Sequence, residues 1–223
     1  MFFLKKKFEN SPELARVVPF GVFVVLTYAQ EKLGLGEDAK YGLYLVKTLV
    51  GAWLILEVRP FVEEMRWKLS WEAVVVGVAI FAVWVGLDGH YPRLKEVEGG
   101  WNPHKEFGEG VAWFYVVVRI AGSSIVVPPI EEIFYRSFLY RYFVKTDFRA
   151  MPFNQYHGLS FFVTSIIFGL MHPDRWVAGI ICGLAFQWLV IHKNRLGDAM
   201  TAHAITNFLL GLWIIWKGAW SFW

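Results

Sequence analysis

Glu131 and Glu132 stand side by side in Pro128-Pro129-Ile130-Glu131-Glu132-Ile133-Phe134-Tyr135-Arg136, an otherwise apolar stretch. Carboxylates in such surroundings persist when they are paired or hydrogen-bonded, and inside a membrane they mark functional sites. Arg136 follows Glu132 by four residues, so a helix places those two on one face and turns Glu131 about 100° away. Glu132 is therefore the expected partner of Arg136, and Glu131 the group left free to exchange a proton. Burial and the second carboxylate favour the neutral acid, whereas a helix starting at Pro128-Pro129 favours the ionised form, and the sequence leaves both influences open.

Two further polar pairs repeat the four-residue spacing. Phe168 and His172 end one apolar segment before Pro173, and His203 and Asn207 lie inside another. Each polar group carries its own cost of insertion into an apolar medium, and one shared cavity would let the three clusters satisfy one another. Each proline of the pair also removes a backbone donor, which should kink or break the helix and free carbonyls near Ser124 and Ile125.

The elements that must position these groups are membrane helices. The 223 residues are 56% hydrophobic and 18% aromatic, with mean hydropathy +0.41, which exceeds what a single soluble core needs. Apolar runs at 15 to 33, 41 to 57, 71 to 87, 111 to 130 with an extension toward 144, 158 to 172, 176 to 192 and 197 to 216 predict an all-α polytopic transmembrane bundle of seven to eight spans. Tryptophans cluster near the predicted span ends, as in an interfacial belt. The first run follows Lys5, Lys6 and Lys7 without a small-residue cleavage motif, as in a retained anchor. With the N-terminus in the cytoplasm, thirteen basic residues fall on the inside and seven on the outside, the sense of the positive-inside rule. Lys47 and Arg119 fall within spans. The stretch from Tyr140 to Arg149 suits the cytoplasmic interface. Cys182 reads as a packing residue and His104 as a loop histidine.

In order and on successive apolar helices, Glu131-Glu132-x-x-x-Arg136, Phe168-x-x-x-His172 and His203-x-x-x-Asn207 resemble the CAAX prenyl endopeptidase type II family, which is grouped with bacteriocin-processing and immunity proteins and includes an exosortase-associated branch. The resemblance covers about 111 to 216, a protease-like core, with membrane helices and a loop at 1 to 110 and a tail at 217 to 223. It departs where many relatives have Phe-Arg-Gly and this chain has Tyr135-Arg136-Ser137. What it implies is an integral membrane, glutamate-dependent peptide hydrolase acting on a membrane-anchored or lipidated protein, with no cofactor and no nucleic acid partner. In that scheme Glu131 and His172 activate water, and His203 and Asn207 stabilise the oxyanion. Glu132, Arg136 and Phe168 support them. A zinc peptidase, a non-catalytic immunity or scaffold protein and a proton-coupled carrier are the competing readings; the chain has no H-E-x-x-H, and the expectation is a metal-free site. If the fourth span ended near residue 130, Glu131 and His172 would lie about 24 Å apart in depth. The helix must therefore continue to about Val144, or the helix ending at His172 must be short or re-entrant.

Overall fold

The computed structural model describes residues 5–32, 36–95 and 100–223. It consists of eight principal helices joined by short turns and 3-10 segments, with no strand among the described residues. They are α1 (Lys5–Asn10), α2 (Pro12–Lys32), α3 (Glu37–Val58), α4 (Trp71–Gly86), α5 (Glu109–Val144), α6 (Gly158–Leu170), α7 (Trp176–Lys193) and α8 (Gly197–Lys217). Five of them (α2, α3, α5, α7 and α8) are long and apolar enough to cross a membrane. The apolar helices α4 and α6 have 16 and 13 residues, so α6 is about 20 Å long, well short of a hydrocarbon core of roughly 30 Å. Both conditions for bringing the glutamates near His172 are thus met. The helix that carries them runs to Val144, and the helix that ends before His172 is short.

Outward-facing side chains such as Val25, Leu49, Val117, Ile125 and Leu159 are apolar and exposed, while Arg16, Glu132, Arg136, Arg141 and Asp198 are buried. This arrangement suits a molecule whose solvent is lipid and whose polar groups pair with one another. Helices approach closely through small residues. A Cβ on Gly77 of α4 would lie 2.7 Å from the Ala202 carbonyl oxygen of α8, and one on Gly169 of α6 would lie 2.4 Å from Ile180 Cγ1 of α7. Local signals set the helix ends. The Ser70 hydroxyl accepts from Ala73 N–H at the start of α4, and Gly218 ends α8 with φ 65°.

α5 is one helix with two π-helical stretches, Gly122–Val126 and Ile133–Leu139. The predicted break at Pro128-Pro129 does not occur: the helix runs on through the first π stretch and the two prolines. Gly122 allows it to lie against α3, where a Cβ would meet Thr48 Oγ1 at 2.8 Å and the Tyr44 hydroxyl at 2.9 Å.

Three residues counted as inside basic flanks prove to be parts of the buried helical core. Arg16, Arg136 and Arg141 are 3%, 1% and 5% exposed, and Arg175, counted outside, is 2% exposed, so without the buried arginines the count is ten against six. Arg141 is therefore turned into the protein. It and Arg16 converge on Glu64 of the α3–α4 connection. Arg16 Nη2 lies 2.6 Å and Arg141 Nη2 3.3 Å from Glu64 Oε1, and the Ser137 hydroxyl donates to the same oxygen. The serine at the departure from the Phe-Arg-Gly pattern thus ties the end of α5 to α2 and to this connection.

Candidate active site

The two glutamates go to different places. Glu131 lines a cavity of about 280 Å³, whereas Glu132 is wholly buried behind it. Arg136 Nε lies 3.2 Å from Glu132 Oε2, the pair that the spacing predicts. His203 Nδ1 lies 3.0 Å from Glu132 Oε1. The Arg136 guanidinium is 4.4 Å from the Phe168 ring centroid and 5.5 Å from that of Tyr135. Aromatic faces thus complete the surroundings of a cation that would otherwise be costly to bury.

Phe168 also touches His172, ring to ring at 5.0 Å, and its backbone explains the four-residue spacing. The Phe168 carbonyl is one of the last of α6, where carbonyls lack helical partners, and His172 Nδ1 lies 2.9 Å from it. A carbonyl oxygen only accepts, so Nδ1 carries the proton and Nε2 remains a free acceptor. Trp84 of α4 meets the imidazole edge-on at 5.4 Å. Both rings line the cavity.

With Nδ1 of His203 directed at the Glu132 carboxylate, its Nε2 faces Glu131 Oε2 at 3.9 Å. That exceeds hydrogen-bond length, and Glu131 Oε2 is buried without a hydrogen-bond partner. One water bonded to both atoms from the side would bridge them. Arg136, Glu132, His203 and Glu131 have no net charge in either of two proton arrangements, one with Glu131 neutral and one with Glu131 ionised and His203 protonated. Moving a single proton between facing atoms interconverts them.

Asn207 is held by the proline pair. In the π stretch, Val127 N–H donates to Gly122 O, and residue 128 has no N–H to offer Ser123 O. Asn207 Nδ2 supplies that bond at 2.8 Å. The carbonyl satisfied from outside the helix is therefore that of Ser123, one residue earlier than the α-helical register suggested. The amide keeps one N–H, and Asn207 lines the cavity with Glu131, His172 and His203.

The site residues thus come from α5, the end of α6 and α8, spread over much of the second half of the chain, and the comparison with family models falls on the same stretch. Residues 111–209 match the family described as type II CAAX prenyl endopeptidase Rce1-like. This segment is an Rce1-like domain. The match supports a membrane endopeptidase acting on protein substrates. Comparison with curated proteins and with solved structures yields no match.

Within the Rce1-like domain, Cys182 is buried as expected and also lines the cavity. His104, outside the domain, pairs with Glu109 at 3.3 Å and packs on Trp113; it does not line the cavity. Among the described residues no group of three His, Cys, Asp or Glu side chains is arranged to hold a metal ion. Trp84, Ser123, Lys47 and Arg119 belong to the cavity wall without having been singled out as site residues. For Lys47 and Arg119 the signal was present, a charge within an apolar run.

Proposed function

We propose that this chain is an intramembrane endopeptidase that hydrolyses a peptide bond near the C-terminus of a lipid-modified or membrane-anchored protein, with Glu131 as the base. The observation that carries the reading is the convergence of Glu131, His172, His203 and Asn207 on one cavity. A water held by Glu131 and His172 Nε2 gives a proton to Glu131 as its oxygen attacks the substrate carbonyl carbon. Negative charge develops on the carbonyl oxygen. Protonated His203, through Nε2–H, and the remaining Asn207 N–H donate to it. When the tetrahedral intermediate collapses, the C–N bond breaks and the proton held by Glu131 passes to the leaving amine. The products are a shortened protein that ends in a new carboxylic acid, which releases its proton to become a carboxylate, and a short C-terminal peptide with a free amine.

Glu132 acts through His203, holding Nδ1 so that Nε2 points into the cavity. Arg136 pairs with Glu132, and Phe168 packs on the guanidinium, so the carboxylate is held in place. On the same reading the N-terminus lies in the cytoplasm.

Cleavage of a fluorogenic lipidated peptide by the detergent-solubilised protein tests the assignment. Glu131→Gln and His172→Ala should each lower turnover about 100- to 10,000-fold while the circular dichroism spectrum stays unchanged. Undiminished cleavage in both variants would overturn the assignment.

A further inference from the structure

The cavity lies toward one face of the helix bundle. Its wall residues on α2, α3, α4, α6 and α7 all come from the half of the helix nearer the face at which α5 begins and α8 ends. At the opposite face, Arg16, Arg141 and Glu64 join α2, α5 and the α3–α4 connection. The way out of the cavity therefore lies toward the end of α8. The segment after Gly218 lies across it, and Phe222 and Trp223 belong to the cavity wall.

This segment is lightly held. Gly218 ends α8 with φ 65°, a left-handed conformation that glycine adopts without strain. A single 3-10 turn follows, Trp220–Phe222, in which no residue is wholly buried. Its hydrogen bonding to another element is through the Ser221 carbonyl, which accepts from Nη1 and Nη2 of Arg175 at 3.4 Å each, long for such bonds. The other contacts are aromatic. The Arg175 guanidinium lies 3.6 Å from the Phe222 ring centroid, Trp220 meets His104 at 5.8 Å, and Trp223 meets Trp101 at 5.6 Å. Segments with few buried contacts and few backbone bonds are the first to open.

Arg175 ties this segment to the chemistry. Its Nε lies 3.3 Å from Asp88, which follows α4, and its backbone N–H donates to the His172 carbonyl at 2.9 Å. One buried side chain thus joins the end of the chain to the turn that carries His172.

We propose that residues 219–223 form a lid that hinges at Gly218 and is latched by Arg175. Closed, it covers the cavity; open, it admits a substrate chain from the face at which α5 begins. The lid rests on the endopeptidase reading only for what it admits.

Two readouts on the full-length protein in neutral detergent test the motion without turnover. Cys182, the one cysteine of the chain, lines the cavity and is 3% exposed, so its rate of modification by a charged, water-soluble thiosulfonate reports entry. Hydrogen exchange at the backbone N–H groups of Phe222 and Trp223, which donate to Ala219 O and Trp220 O, reports opening of the segment. Arg175→Gln should raise both rates in one ratio, about 10- to 100-fold, the worth of a hydrogen bond to a charged group. Phe222→Leu, which leaves the His172 turn untouched, should raise both about threefold through the lost cation–π contact, and it carries the test alone if Arg175→Gln does not fold. Glu64→Gln, which loosens the opposite face, should change neither rate. A similar rise in Glu64→Gln would assign the effect to general loosening and overturn the lid. Faster exchange without faster thiol modification would describe a segment that moves without covering the cavity, and would also overturn it, as would unchanged exchange in the latch variants. Cleavage by the unsubstituted protein, measured separately, judges the endopeptidase reading whatever these rates are.

Discussion

Replacing Arg136 with methionine leaves Glu132 as a carboxylate in an apolar interior with one remaining partner, His203. The two side chains are 1% and 0% exposed, so solvent does not screen the loss. Removing one member of a buried pair costs about 3–5 kcal/mol, and the lost contact with the Phe168 face adds up to about 2 kcal/mol. His203, 3.0 Å from the other Glu132 oxygen, can take up a proton and recover part of this. The expected loss is therefore about 3 kcal/mol, or roughly a hundredfold in the folding equilibrium. Glu132→Gln should cost a similar amount, because it leaves the guanidinium with aromatic partners alone. The double variant carries neither buried charge and should fall short of the sum of the single losses by about 2 kcal/mol or more. Reversible unfolding in mixed micelles of increasing sodium dodecyl sulfate content, followed by tryptophan fluorescence, measures all three. Losses that add to within about 0.5 kcal/mol would refute the coupling.

Asn207→Leu removes the donor to Ser123 O and should destabilise the same preparation by about 1–3 kcal/mol, with Asn207→Gln no rescue because its amide lies one carbon further out. Gly169→Ala forces a methyl group against Ile180 and the backbone of α7 and should cost about 1–3 kcal/mol, read from the same unfolding curves. Burial alone would push the Glu64 carboxyl up, but the Arg16 guanidinium and the Ser137 hydroxyl hold it below its ordinary value. A carboxyl whose folded value is depressed adds stability that is complete above the unfolded value and is lost as pH falls through the folded one. Unfolding midpoints between pH 7 and roughly pH 3 should therefore fall with acidification, and Glu64→Gln should remove that part of the slope.

The site was legible wherever one helix sets the relation between residues. The Glu132–Arg136 pair and the His172 bond to Phe168 O are both four-residue relations, and each polar residue announced itself against an apolar background. What depends on packing was not legible. Lys47 and Arg119 meet at one cavity through the docking of α3 on α5, and Arg16 reaches Ser137 across 121 positions. The π stretches also escaped notice. Two prolines read as a break, yet neighbours on α3 and α8 supply the close fit and the donor that keep the helix whole. Buried arginines counted as loop charges for the same reason, since hydropathy does not see which way a side chain points.

The first π stretch also sets the phase of α5. Twelve residues of uniform α-helix turn through about 1200°, which would leave Arg119 and Glu131 some 120° apart around the axis. Enlarging one turn by roughly one residue takes back about 100°, and the two side chains come to face the same cavity. Eleven residues of uniform helix turn through about 1100°, so deleting one residue from 122–126 would remove the enlarged turn and still leave Arg119 and Glu131 within about 20° of each other around the axis. Inserting a residue there instead, with the enlarged turn kept, would give twelve helical steps and set the two side chains about 120° apart. The enlarged turn thus gives a helix of twelve residues the phase of one of eleven.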